Sequence, residues 1–443
     1  MSLFNPVAVQ NPRQIAARIL MARQQGGQYT ETLLENELAG HRLSPADRGL
    51  CHELVFGVVR REATLDWLIA RKTGGRTQKP LLRAILQMAL YQMFWLERIP
   101  NHASVNEAVE LAKRSGFGSQ AGFVNAVLRG YAREFPGTQQ LLADLKTSDA
   151  PIGHSHPAWL YERWRTRWGP EPAARLMEWD NSPPPTYARL NALKTGPEQL
   201  SAQWQAEGVK FVPRIWDWTE PGQVFELESH PPLARLPSFQ DGRFYLQDPS
   251  TLLAVRELGV RPGETVLDLC AAPGGKTALI AQHLRNQGLI VASDIQPDRL
   301  EMVLENCSRL GVTCVETALL AGNSSLESRA GQFDRVLVDA PCSNTGVMRR
   351  RIDLRWRIRP EEILRLAESQ YELLQKAAPL CKPGATLVYS TCSLEPEENR
   401  AVVDRFLKEQ PGFRLETERS LLPFSDGVDG AYVARMARGS KEN

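Results

Sequence analysis

The chain has 443 residues, 42% of them hydrophobic and 23% charged, with a formal net charge of only +2. That length suits two or three domains, and the balance is that of a folded protein rather than a polybasic tail. No apolar run reaches the roughly 18 residues that a membrane span needs, and the opening MSLFNPVAVQNPRQ lacks a signal-peptide core, so a cytoplasmic protein without membrane contact is expected.

Charge is unevenly spread. The first 150 residues carry 18 basic against 13 acidic side chains, and the remainder 35 against 38, a mild pointer to a nucleic-acid partner for the N-terminal part. Residues 1–145 read as helices: Ile15, Ile19 and Leu20 lead one apolar stripe, and Leu81, Leu82, Ile85, Met88, Ala89 and Met93 recur at three and four residues, the helical period. Ser104 followed by Glu107 predicts a capping box opening a helix with Val105, Ala108, Val109 and Ala112 on one face. Pro151 and the stretch Gly153–Pro157 read as a linker.

A small α+β domain is expected over 156–245. Trp159, Trp164 and Trp168 interleave there with Arg163, Arg165 and Arg167. Such residues stack on bases in RNA-binding proteins, but Leu160, Trp164 and Trp168 at four-residue spacing more often form a core face with solvated arginines. From 246 to 438 strands alternate with helices: Thr265–Cys270, Leu289–Ile295, Val312–Leu319, Phe333–Ala340 and Ala385–Ser393. This alternation predicts a parallel sheet covered on both faces, with ligands at the carboxyl ends of its strands.

The seven cysteines are odd in number, and no two stand at C-x2-C or C-x4-C spacing, so neither a disulfide framework nor a metal site is expected. Two of them have unusual neighbours. Cys342 lies in Asp339-Ala-Pro-Cys-Ser343 and Cys392 in Ser390-Thr-Cys-Ser393, each directly after a predicted strand. A lone cysteine there is usually a small core residue. Two of them, converging with an aspartate on one sheet edge, call for chemistry.

Val266-Leu-Asp-Leu-Cys-Ala-Ala-Pro-Gly-Gly-Lys-Thr277 is a strand running into a glycine turn and a helix, and Asp294 ends the next strand 20 residues beyond Gly274. A nucleoside cofactor fits, with the carboxylate on the ribose. Gly275-Lys-Thr277 imitates a Walker A loop, but Cys270 stands where that loop needs its first glycine, and G-x-G-x-x-G is absent. Asp268 at the strand's end would repel a pyrophosphate, yet suits the cationic amino-acid end of S-adenosylmethionine, indirectly or through a water.

Pro341-Cys342, Thr391-Cys392 and the run Asp268–Lys276 resemble the RNA (cytosine-5) methyltransferase family, and the likeness is greatest to its bacterial 16S ribosomal RNA branch. Tyr187-Ala-Arg-Leu-Asn191 with Lys194, and Tyr245-Leu-Gln-Asp-Pro-Ser250, extend it over nearly the whole chain. The resemblance implies an all-α NusB-like bundle over 1–145, an α+β (RRM-like) domain over 156–245, and a Rossmann-like methyltransferase domain over 246–438. It implies S-adenosylmethionine held by Cys270, Ala271, Ala272, Pro273, Gly274, Gly275, Lys276, Asp294 and Asp339. It implies Cys392 as the nucleophile adding to carbon 6 of a cytosine, Cys342 as the thiol assisting release, Asp339 as the group meeting the base, and Lys276 as a charge favouring the thiolate. The cytosine must be flipped or unpaired.

One departure stands out. The family usually places an aspartate near the adenine after the third strand, where this chain has Leu319-Leu-Ala-Gly-Asn-Ser-Ser325, leaving Asn323 as the stand-in. Six arginines between Arg349 and Arg359, around Trp356, read as an RNA contact through Arg349, Arg350, Arg351 and the ring, against the plainer reading of a solvated face. The partner expected is 16S ribosomal RNA and the state a monomer. The alternatives are an RNA-binding adaptor with a degenerate methyltransferase domain, for which only the absent adenine aspartate speaks, and a transfer RNA cytosine-5 methyltransferase.

Overall fold

The computed structural model describes residues 11–320 and 326–440. The chain divides into two compact units, Met1–Ser182 with Arg351–Arg357, and Pro183–Arg350 with Ile358–Asn443. Among the described residues no helix is long and apolar enough to cross a membrane.

The first unit is all helical. Asn11 caps the helix Pro12–Gln24 through the Arg13 amide at 2.9 Å, and Ser44 caps Pro45–Arg60 through Asp47 at 3.1 Å. The predicted stripes face inward: Ile15, Ile19, Leu20, Leu82, Ile85 and Met88 are all buried in one core with Leu54, Val58, Leu65 and Val124. The expected capping box is corrected. The helix Asn101–Ala112 begins four residues earlier, with the Ala103 and Ser104 amides already bonded to Pro100 O, so Ser104 is a buried first-turn residue rather than a cap. The expected linker is corrected too. Ala150–Gly153 is helical, and His154, Ser155 and His156 are buried among polar partners: Ser155 Oγ accepts from the Ala63 amide at 2.9 Å, and Asn181 Nδ2 donates to His154 O at 2.6 Å. Helices Ala158–Trp168 and Pro170–Asn181, expected with the small α+β domain, belong to this unit. Leu160 and Trp164 form the core face there while Arg165 and Arg167 are exposed.

The second unit holds two sheets. Strands β1 (Thr186–Leu190), β2 (Lys210–Arg214), β3 (Val224–Ser229) and β4 (Phe244–Leu246) form an antiparallel sheet in the order β2-β3-β1-β4. Trp204, from the helix Pro197–Ala206, packs on it between Phe211, Phe225 and Phe244.

The larger sheet contains β5 (Thr265–Leu269), β6 (Leu289–Asp294), β7 (Val315–Leu319), β8 (Phe333–Asp339), β9 (Cys381–Thr391), β10 (Phe413–Leu421) and β11 (Ala431–Arg438), in the order β10-β11-β9-β8-β5-β6-β7. Strands β5 to β9 pair in parallel, and β11 and β10 close the edge antiparallel. Alternate residues serve opposite faces, as strand geometry requires. Val266, Leu337 and Val388 pack with the helices Leu252–Leu258, Gly275–Leu284 and Pro297–Leu310, while Leu267, Val336 and Leu387 pack with Pro360–Ala377 and Arg400–Glu409. The result is a Rossmann-like, mostly parallel sheet with helices on both faces.

Candidate active site

The carboxyl ends of β5, β6, β8 and β9 carry the predicted residues in the second unit. After β5 the chain turns sharply, with Cys270 at φ +62° and Gly274 at φ +97°, both in the left-handed region. The Ala271 amide donates to Ser293 O at 3.0 Å and the Gly274 amide to Ala271 O at 2.8 Å, which fixes the turn before the helix Gly275–Leu284 begins. Asp294 is buried at the end of β6, where it accepts from the Ala272 amide at 3.1 Å and pairs with Arg299 at 2.9 Å. Arg299 is exposed enough to yield that oxygen to a ligand hydroxyl.

Asp268 is fully buried on β5. One oxygen accepts from Thr277 Oγ1 at 2.6 Å, and the other accepts no hydrogen bond from any described residue. Burial pushes its carboxyl up to about 7, with neighbouring Asp339 adding to the rise against the Thr277 bond. Burial likewise pushes the Cys270 thiol up to about 12, helped by Asp294 and Asp339, so Cys270 lines the turn as a neutral thiol.

At the end of β8, Asp339 accepts from Lys276 Nζ at 2.7 Å and from Ser390 Oγ at 2.7 Å. Burial works against the Lys276 charge, but the pair with Asp339 outweighs it and holds the ammonium above its ordinary value. Three residues on, Cys342 Sγ lies 3.2 Å from Cys392 Sγ, and Cys392 Sγ lies 3.0 Å from Asn344 Oδ1. The Cys342 thiol is raised well above its ordinary value, first by its bond with Cys392 and then by burial. It therefore stays protonated at neutral pH. Two thiols, an ammonium and a carboxylate thus occupy one corner of the sheet, as their positions in the sequence led one to expect.

Sequence reasoning missed several partners. Asn344 sits at φ +57° and donates to Cys342 O at 2.7 Å while meeting Cys392. Arg189, fully buried on β1, donates to Gly275 O at 2.9 Å and lies over the Tyr245 ring, which ties the small sheet to the glycine turn. Glu398 reaches both cysteine loops from the segment after β9. Its place in Pro396-Glu-Glu-Asn399, just past Thr391-Cys392, was the one available signal. Asn323 lies outside the described residues.

The arginine run is not an exposed face. Arg349 is buried and pairs with Asp429 at 2.7 Å, and Arg350 pairs with Asp429 at 2.5 Å and Asp248 at 2.8 Å. Trp356 packs against the helical core of the first unit, its Nε1 donating to Val59 O at 3.0 Å. Of the four residues assigned to RNA, Arg351 alone is exposed. The reading of Arg349, Arg350 and Trp356 as an RNA surface is corrected on this ground: Arg349 Nε and Arg350 Nε already donate to Asp429, and Trp356 Nε1 to Val59 O.

Family models match along the chain in the order the fold presents: the NusB family over residues 10–133, an RsmF/B-like ferredoxin-like domain over 156–216, and the 16S rRNA methyltransferase RsmB/F family over 255–436. The chain is 35% identical to a probable ribosomal RNA small subunit methyltransferase B of Bacillus subtilis, covering 96% of this chain and 98% of that one. This chain belongs to that family. A ribosomal RNA small subunit methyltransferase B of Escherichia coli O157:H7 is 35% identical, with 97% and 99% covered. Among solved structures, a methyltransferase homolog protein from Pyrococcus horikoshii matches with a TM-score of 0.56 at 31% identity, over 66% of this chain and 98% of its own. The family's three-part architecture is therefore a NusB domain, a small ferredoxin-like domain and a Rossmann-like methyltransferase domain.

Proposed function

We propose that this ribosomal RNA methyltransferase transfers a methyl group from S-adenosylmethionine to carbon 5 of a cytosine in 16S ribosomal RNA, through a covalent adduct between Cys392 and carbon 6. The observation that carries the reading is the pair of thiols 3.2 Å apart, next to the Lys276–Asp339 ion pair at the carboxyl edge of the sheet.

Carbon 5 of cytosine is a poor nucleophile. Addition of the Cys392 thiolate to carbon 6 forms an S–C bond and moves the ring's electron pair toward carbon 5, which then accepts the methyl group. Asp339 meets the base at N3 or its exocyclic amine, and the Lys276 ammonium offsets the carboxylate while favouring the thiolate. A base from solvent takes the carbon 5 proton, the S–C bond breaks with its electron pair returning to the Cys392 sulfur, and the carbon 5–carbon 6 double bond is restored. Cys342, kept as a thiol, assists this release.

The residues fit the methyl donor. The free oxygen of Asp268, the turn Cys270–Gly275 and the Asp294 carboxylate form a site suited to a nucleoside with a cationic amino-acid end. Once bound, that group supplies an electrophilic methyl on a positively charged sulfur. Asp294 would hold its ribose hydroxyls and Asp339 its methionine side, as the same carboxylate that orients the base.

Two variants test the assignment. Cys392→Ala should lose methylation of 16S RNA while binding S-adenosylmethionine as the unaltered protein does, and clear residual turnover would sink it. Cys342→Ala should instead accumulate an RNA-bound protein band that survives denaturant, since addition and transfer remain possible. If Cys342→Ala is inactive without any such band, the two thiols exchange roles.

A further inference from the structure

Each cysteine of the site is followed by a serine, Cys342-Ser343 and Cys392-Ser393, and both serines are gripped by one buried carboxylate. Glu398 Oε1 accepts from the Ser343 amide at 2.8 Å and from Gln370 Nε2 at 2.9 Å. Its Oε2 accepts from Ser393 Oγ at 2.5 Å and from Ser343 Oγ. Four donors thus fill the lone-pair sites that an ionised carboxylate offers. The donors come from the loop after β8, the loop after β9 and the helix Pro360–Ala377, so one side chain joins three elements.

The residue is itself held in place. Its carbonyl accepts from Tyr389 Oη on β9 at 2.5 Å, and its amide donates to Glu395 O at 3.1 Å. Gln370 also donates to Pro341 O at 2.9 Å, directly before Cys342. Glu398 bonds neither sulfur: it reaches the thiols through Ser343 and Ser393, through Gln370 at Pro341, and by its charge, which adds to the rise of the Cys342 thiol. Other bonds join the loops without it, among them Gly346 N to Cys392 O at 3.0 Å, Leu394 N to Thr345 Oγ1 at 2.9 Å and the two serine hydroxyls to each other at 3.0 Å. Removing Glu398 should therefore loosen the alignment of the thiols rather than separate the loops.

We propose that Glu398 is a positioning residue for methyl transfer: by holding Ser343 and Ser393 on one carboxylate it fixes the spacing at which Cys342 and Cys392 meet the same base. The proposal rests on the two-thiol reading above, but its test does not depend on that reading alone. Diamide oxidises two neighbouring thiols to a disulfide, its azo bond taking up the two electrons and two protons that they release. The rate at which Cys342 and Cys392 are joined, read by peptide mass spectrometry, therefore reports their spacing without any turnover.

Glu398→Ala should lower kcat by about tenfold to a hundredfold, the usual cost of a reacting group displaced by about an ångström. It should leave the KM for S-adenosylmethionine within about twofold, because uniform ground-state binding is untouched. Diamide should join the two cysteines several-fold more slowly. Glu398→Gln should recover much of both, since its amide oxygen can accept from Ser343 N and Gln370 while its NH2 donates to hydroxyls free to turn. If Glu398→Ala does not fold, the double variant Ser343→Ala/Ser393→Ala carries the test, removing the hydroxyl grip with no charge left changed. A folded variant of either kind with unaltered kcat and unaltered cross-linking overturns the proposal. Slowed cross-linking, in a protein whose unaltered form methylates no cytosine, would keep the positioning role and remove the proposed reaction instead.

Discussion

Asp268 shows how one buried residue can weigh on the fold. Its partnered oxygen holds Thr277, its other oxygen accepts no hydrogen bond from a described residue, and burial raises its carboxyl from 3.8 to about 7. Between those two values the folded protein keeps a proton that the unfolded chain has released. Asp268's contribution to stability is therefore fully present at acid pH below the unfolded value and is lost as pH rises through about 7. Asp429 shifts the same way, to about 6, first through burial and then through Asp248, so the two carboxyls act in the same sense. Replacing Asp268 by Asn should remove its share of the decline. Urea unfolding of both proteins between about pH 5 and 8 should show a shallower fall in unfolding free energy for the variant. Equal slopes would mean that Asp268 is already ionised in the folded protein.

At the scale of elements, the parallel strands were legible because each is a short apolar run ending in Gly, Asp or Cys chemistry, and β5, β6, β8 and β9 end within two residues of where the sequence placed them. Strand β10, Phe413–Leu421, was not read: Phe413, Leu415 and Leu421 share one phase, but the run of Glu416, Thr417, Glu418 and Arg419 between them is that of an exposed edge strand and breaks the apolar alternation. Lys276, Asp339, Cys342 and Cys392 were readable as a group because each follows a strand that ends on the same sheet edge. Arg349 and Arg350 were not readable as buried, for one physical reason. A charged residue announces burial only through its partner, and the partners of Arg349 and Arg350 lie 80 and 102 residues away in the chain.

Loop contact at this same scale yields a further test. A Cβ at Gly346 would lie 2.7 Å from both Cys392 O and Gly430 Cα, and both are backbone atoms that cannot rotate aside. Gly346→Ala should force the loops after β8 and β9 apart, destabilising the protein by about 1–3 kcal/mol. Methyl transfer should fall further than stability does, because Gly346 N donates to Cys392 O at 3.0 Å and that bond would lengthen. Denaturant titration and an RNA methylation assay on the same preparation check both parts. Unchanged turnover would show that the thiol spacing does not depend on this backbone contact.

At the scale of the whole chain, the path is not three beads in sequence. Having passed Cys342 and the Arg349 and Arg350 ion pairs in the second unit, it enters the first unit for Arg351–Arg357 and returns at Ile358. That short segment is built into the helical unit. Ile352 is in its apolar core, Asp353 accepts from the Thr30 amide at 2.5 Å and from Arg23 Nε at 2.6 Å, and Arg355 donates to Asn181 Oδ1 at 2.7 Å and Asp180 O at 2.8 Å. Burial lowers the Arg355 guanidinium to about 9 despite the nearby Asp180, so its charge is held chiefly by these polar contacts. Within the first unit the helices therefore supply the contacts that bury Ile352, Asp353 and Arg355, in a segment that lies in the chain between two stretches of the second unit. A chain reduced to residues 183–443 would take these contacts from Ile352, Asp353 and Arg355, ten to thirteen residues beyond Cys342. Trypsin should then cut at Arg351, Arg355 or Arg357 in the shortened chain and spare them in the full one, as ordered backbone resists cleavage. S-adenosylmethionine should still bind the shortened chain, because the glycine turn and Asp294 belong to the second unit. Equal protection of the segment in both chains would show that it keeps its fold without the helical unit.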